Sequence, residues 1–185
     1  ENRKCVYSIS KYLPIEQLRE NNSNTIIVYP SLILGPGDKT NTLKLIIAIK
    51  EGKIPFNPPG SNSIVDVRDL AKALILIMNS ENKYSEYIVS GGSYTYKEIN
   101  TKIANALKVK PIRFTLHRLM IYPLSFFTIL IELFSKNPAI TYENVYLSFK
   151  ERRHDNKRLR EIGFRHKHSL NKTITDSIDW INTLK

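Results

Sequence analysis

Tyr7 and Lys11 are the residues of this 185-residue chain whose types and spacing best suit chemistry. A phenol is a poor acid or base near neutrality, with an ordinary pKa of about 10; a neighbouring ammonium group favours the phenolate and brings the group toward the working range. Four residues apart on a helix, the two side chains share a face, so the Lys11 ammonium can polarise the Tyr7 hydroxyl. The chemistry this allows is proton exchange with a substrate oxygen. Spacing alone carries little, because a chain rich in Tyr and Lys yields about one such match by chance. Tyr146 and Lys150 form a second copy, but it runs straight into the charge-dense ERRHDNKRLR and reads as an ordinary helix surface.

The segments after Tyr7 and Lys11 distinguish that pair. Pro14 lacks an N–H and predicts a kink or an end to the helix carrying them. Residues 25–34, TIIVYPSLIL, are almost continuously apolar, the pattern of a central strand buried on both faces of a parallel sheet. Gly35-Pro36-Gly37-Asp38 follows, at the carboxyl end of that strand, where open α/β sheets bind ligands and where glycines permit close backbone approach. Further on, periodicity predicts a helix over 41–51, a strand over 63–66 and a helix over 69–78. Asp69 is a candidate N-cap for that last helix and Asp66 a candidate partner for the turn. Arg68 between them is read either as a solvated turn residue or as a weak candidate for contacting a substrate phosphate. A short strand at 87–90 closes on Gly91-Gly92, and Thr95 with Glu98 forms a T-x-x-E capping box that opens a helix to about residue 107. Residues 108–115 read as a linker or edge strand. The final amphipathic helix spans 169–184, with Trp180 in its core-facing set.

Taken in order, these motifs resemble the extended branch of the short-chain dehydrogenase/reductases, the NAD(P)-dependent epimerases, dehydratases and reductases. Tyr7, Ser10 and Lys11 match the YxxSK signature. Tyr29-Pro30-Ser31 and the Gly35–Asp38 turn are similar to the strand and turn beside the nicotinamide, 64–71 (IVDVRDLA) to the strand-to-helix segment, and 158–180 to the C-terminal ending. The resemblance implies an α/β fold: the C-terminal part of a Rossmann-like, doubly wound parallel sheet with a small, mostly helical substrate-binding region. Residues 1–110 would be the remaining cofactor-domain part and 111–185 the substrate region. It implies that Tyr7 donates or accepts the proton at the substrate oxygen, that Lys11 holds the nicotinamide ribose and lowers the Tyr7 pKa, and that Pro30 and Ser31 line the nicotinamide pocket. The cofactor would be NAD or NADP. The substrate would be a small molecule, whether sugar nucleotide, flavonoid-like or steroid-like, and a homodimer is compatible with the family. This chain has Tyr29 where the family usually has Arg. Only six residues precede Tyr7 and no GxGxxG or GxxGxxG occurs, so a glycine-rich front half is expected upstream and the 185 residues alone are expected to be inactive.

Composition agrees with a globular chain, since 42% hydrophobic content at this length buries a core of one ordinary domain. The single Cys5 precludes an intrachain disulfide, no metal site is expected from the four histidines, and a cytoplasmic setting follows. The net charge of +11 concentrates in residues 150–168, where eight Lys/Arg face three Asp/Glu. That run is either a solvated helix surface or a patch for anionic groups; with no aromatic stacking motif interleaved, nucleic acid is not the expected partner. Residues 117–135 are the most apolar stretch, too short and too interrupted by Pro123 to cross a bilayer. They read as a buried helix over the substrate pocket or as a helix lying on a membrane surface. The second possibility supports an alternative function, a noncatalytic basic module bound peripherally to membranes.

Overall fold

A computed structural model describes residues 6–21, 25–81, 84–135 and 141–184. The chain opens with α1 (Val6–Glu20), which carries Pro14 in its interior and continues as one element to Glu20. The apolar run 25–34 is not one strand. It divides at Ser31 into β1 (Ile27–Pro30) and β2 (Leu32–Leu34), which enter different sheets. β1 pairs in parallel with β4 (Glu86–Val89), and β2 pairs in parallel with β3 (Ser61–Asp66), which in turn pairs antiparallel with β5 (Gly92–Thr95). The Ser31 N–H donates to the Val89 carbonyl as the last bond of the first pair, after which the chain crosses to β3.

The intervening helices are α2 (Thr42–Lys50), α3 (Val67–Met78) and α4 (Tyr96–Ala106). A 3-10 turn (Arg118–Met120) leads into α5 (Ile121–Phe134), followed by α6 (Tyr142–Ser148), α7 (Lys157–Glu161) and α8 (Leu170–Thr183). Every residue of β3 is buried. Because successive side chains of a strand point to opposite faces, β3 divides the interior into two clusters. Ile64 packs with Leu34, Ile46, Ile99, Ile103 and Ile174 under α2, α4 and α8, while Val65 packs with Ala73, Ile77, Tyr87, Val89 and Phe164 under α3. Burying each such side chain stabilises the fold by about 1.5–3 kcal/mol. The C-terminal segment contributes to both clusters, Leu159 and Phe164 to one, Leu170 and Ile174 to the other.

Helix ends follow local chemistry. Thr95 and Glu98 form the complete capping box of α4, and Ser169 caps α8. α3 begins two residues earlier than its periodicity suggests: Asp66 is its N-cap, accepting the Arg68 N–H, and Asp69 lies within its first turn. Among the described residues, no helix is long and apolar enough to cross a membrane. Residues 108–115 form no strand; buried Asn57 pins them, its amide nitrogen donating to the carbonyls of Ile112 and Phe114.

Candidate functional site

The helix and the first strand singled out above, α1 and β1, converge on one side of the β1–β4 pair. α1 is tied down at its far end: the Arg19 guanidinium donates to Glu86 of β4 at 2.9 Å, to Glu16 at 2.8 Å and to the Tyr29 hydroxyl at 3.4 Å. Between helix and sheet runs an open groove of about 710 Å³, lined by Tyr12, Ile15 and Arg19 of α1, by Tyr29 and Pro30 of β1, by Glu86 to Ile88 of β4, and by His154, Asp155, Lys157 and Arg158. Tyr7, Lys11, Ile15 and Arg19 recur every four residues and so form one stripe along α1. Two of them, Ile15 and Arg19, border the groove, and Lys11 lies exposed one turn before Ile15. The Tyr7 side chain lies outside the described residues, as does Cys5.

At the carboxyl end of β1, Pro30 lines the groove and the next residue, Ser31, holds a buried hydroxyl that finds no hydrogen-bond partner among the described residues. The Tyr87 hydroxyl, under the same groove, is in the same condition. Buried polar atoms are rarely left unpaired, and an orphaned hydroxyl at the carboxyl end of a parallel strand fits a ligand-facing position. The turn beyond is rigid. Gly35 has φ +150°, and a Cβ there would meet the Val67 side chain at 2.6 Å. Asp38 accepts the N–H groups of Thr40, Asn41 and Thr42; partial burial works against its charged form, but these donors outweigh it and hold the carboxyl well below the usual carboxylate range. Tyr29 titrates above the ordinary phenol value because burial, reinforced by Glu86, disfavours its anion.

Arg68 is engaged within the protein. Its guanidinium donates twice to Asp66, at 2.8 Å each, and once to Asp176 at 2.6 Å, which joins the β3–α3 turn to α8. Asp69 is engaged in a second tie, accepting the N–H groups of Lys167 and His168 and bonding His168 Nδ1 at 2.8 Å. These fully bonded carboxylates anchor the C-terminal segment. The groove residues that sequence reasoning missed, Arg19, Glu86 and the 154–158 segment, are polar positions without a motif. The one signal pointing to Arg19 was its place on the four-residue stripe.

No family model matches the sequence, and no curated protein matches it either. Solved structures do. A nucleoside-diphosphate-sugar epimerase from Pseudomonas aeruginosa is 21% identical with a TM-score of 0.80, over 99% of this chain and 57% of that one. The protein gox2253 is 26% identical with a TM-score of 0.75, over 94% and 54%. The enzyme WbmG of Bordetella bronchiseptica, solved with NAD and UDP, is 15% identical with a TM-score of 0.69, over 96% and 51%. Other similar structures hold NAD or NADPH. The chain therefore has the Rossmann-like α/β fold of the extended short-chain dehydrogenase/reductases, with NAD-dependent sugar epimerases and dehydratases as its structural neighbours, and it spans about half the length of the structures it matches.

Proposed function

We propose that this chain is the substrate-side half of an NAD(P)-dependent epimerase, dehydratase or reductase acting on a nucleoside-diphosphate sugar. The observation carrying this reading is the order of parts on one side of the β1–β4 pair. Tyr7 and Lys11 stand one turn apart on α1, the next turns of the same stripe border the groove, and the orphaned Ser31 hydroxyl ends β1. The neighbours that bind NAD together with UDP or UDP-sugars favour a sugar nucleotide over the flavonoid-like and steroid-like alternatives.

The cofactor, when bound, supplies hydride exchange with a carbonyl or alcohol carbon. Lys11, Pro30 and Ser31 would hold the nicotinamide end, the Lys11 ammonium toward the ribose and the Ser31 hydroxyl taking up the partner it lacks among the described residues. By the resemblance, the Gly35–Asp38 turn would stand beside it. Tyr7 moves a proton to or from the substrate oxygen, and the Lys11 cation makes that proton labile near neutrality. This sequence has no glycine-rich pyrophosphate cradle, so the residues in hand contribute only the nicotinamide and substrate side, with 1–110 nearest the cofactor and 111–185 toward the substrate.

In a polypeptide that joins this chain to a cofactor cradle, Tyr7→Phe is expected to lower kcat at least about a thousandfold, with cofactor affinity nearly unchanged. Steady-state turnover beside a fluorescence titration of NADH measures both. Turnover equal to the parent's rejects the assignment of Tyr7.

A further inference from the structure

α5 is built inside out. Its polar residues Ser125, Thr128 and Glu132, three and four positions apart, share one stripe, and that stripe faces inward. Thr128 is buried, its hydroxyl donating to the carbonyls of Leu124 and Ser125, and the Glu132 carboxylate accepts the N–H of Tyr142 at the start of α6. The solvent side carries Tyr122, Phe126, Phe127, Leu130, Leu133 and Phe134, with Tyr122 72% and Phe134 89% exposed. Half of the exposed large apolar side chains among the described residues fall within 114–134, so this is a contiguous patch, unlike the scattered apolar residues of ordinary protein surfaces. Of the two sequence readings of this apolar run, a buried cover for the substrate pocket or a helix lying on a membrane surface, the outward face favours the second.

Charge identifies what meets this patch. Between Glu98 and Glu132 there is no acidic residue, while Lys102, Lys108, Lys110, Arg113 and Arg118 lie in that interval. Lys110, Arg113, Phe114, His117 and Arg118 are all exposed on the approach to α5. Arg118 pairs with Glu151, which stands 4.0 Å from Arg153, so the first part of the basic 150–168 run adjoins the same end of the helix. A second copy of the chain on this face would bring two cationic rims together, a repulsive arrangement. An anionic lipid surface complements both the apolar side and the rim.

We propose that α5 lies in the headgroup and acyl boundary of an anionic bilayer, its aromatic side inserted and the cations around residues 110–118 and 150–153 on the lipid phosphates. At about 1.5 Å per residue its 14 residues reach roughly 21 Å, short of the ~30 Å hydrocarbon core, so the helix lies along the surface. Such a placement holds a groove for soluble substrates beside a membrane.

Co-sedimentation with vesicles tests this without cofactor or turnover. The chain is expected to sediment with phosphatidylcholine–phosphatidylglycerol vesicles, less with phosphatidylcholine alone, and progressively less as salt rises. Phe126→Ser combined with Phe127→Ser is expected to weaken binding about tenfold or more, and Lys110→Glu with Arg113→Glu to remove the preference for anionic lipid. All four positions are exposed, so unchanged circular dichroism and melting temperature certify the variants. Should the serine variant melt early, Phe127→Trp provides a second readout: its emission shifts to the blue on vesicles and is quenched by brominated lipid. The proposal is overturned by no sedimentation with anionic vesicles at low ionic strength. Undiminished binding of the folded serine variant, or unshifted and unquenched Trp emission, also overturns it. So does a concentration-dependent dimer that the serine variant abolishes while vesicles bind nothing, which would assign the face to a second copy.

Discussion

The carboxylates of this protein do more structural work than its candidate chemistry required of them. Burial by itself would raise the Asp66 carboxyl, but the Arg68 guanidinium and the Thr173 hydroxyl, which donates at 2.7 Å, outweigh it and hold the group down to about 2. A carboxyl whose folded pKa is depressed adds stability that is fully present above its unfolded value, near 4, and is lost as pH falls through the folded value. Unfolding by urea is therefore expected to show stability constant above about pH 5 and falling steadily from pH ~4 to ~2. Asp66→Asn is expected to cost about 2 kcal/mol at neutral pH and to flatten that acid limb. A variant as stable as the parent at pH 7, with the same acid limb, would show that the Asp66–Arg68–Asp176 tie contributes nothing. Arg68 was ambiguous in sequence because an arginine in a polar turn reads either as solvated or as a phosphate contact, and the ion pair that α8 brings to it through Asp176 joins residues far apart in the chain.

At the scale of elements, signals that depend on near neighbours in sequence were legible and those that depend on distant partners were not. The capping box at Thr95 and Glu98 and the Ser169 start of α8 were readable because the bonded groups lie within one turn of each other. The division of residues 25–34 was hidden, since both halves are apolar and only their partners, β4 and β3, tell them apart. The burial of α5 was left open in sequence, because a long apolar run suits a buried helix and a surface-lying one alike. Gly60 is a further position that only the fold explains. It sits where β3 begins, beside the segment leaving α6, and a Cβ there would stand 2.4 Å from the Ser148 carbonyl oxygen and 2.5 Å from that of Lys150. Both obstacles are backbone, so neither can turn aside. Gly60→Ala is expected to destabilise the fold by about 2 kcal/mol or more, seen as a lower melting temperature. It would also release the Gly60 N–H bond to Ser148 and the bridge between Ser61 and Glu151. An unchanged melting temperature would mean that residues 148–151 move away at no cost.

For the whole molecule, the two strand groups are unequal. β3 is central to its sheet, buried along its full length and bonded on both sides, whereas β1 and β4 form a parallel pair in which, among the described residues, each has one neighbour. The bonds from the Ile27 and Ser31 N–H groups to β4 fix the alternation, so the N–H of Val28 points to the opposite edge, and Pro30 offers no donor there. A two-stranded sheet is marginal in water and draws its stability from what covers it. Here one cover is the α1 tie through Arg19 and the other is α7 with Phe164. The similar solved structures are about twice as long as this chain. Opening of the β1–β4 pair is therefore expected to cost less free energy than opening of β2–β3–β5. Native-state hydrogen exchange followed by NMR should find the β1 and β4 amides at least about tenfold less protected than those of Ser63 to Val65, with the Val28 amide exchanging fastest in the pair. Uniform protection across both groups would mean that the molecule opens as one unit and that the β1 edge, unpaired among the described residues, carries no weakness of its own.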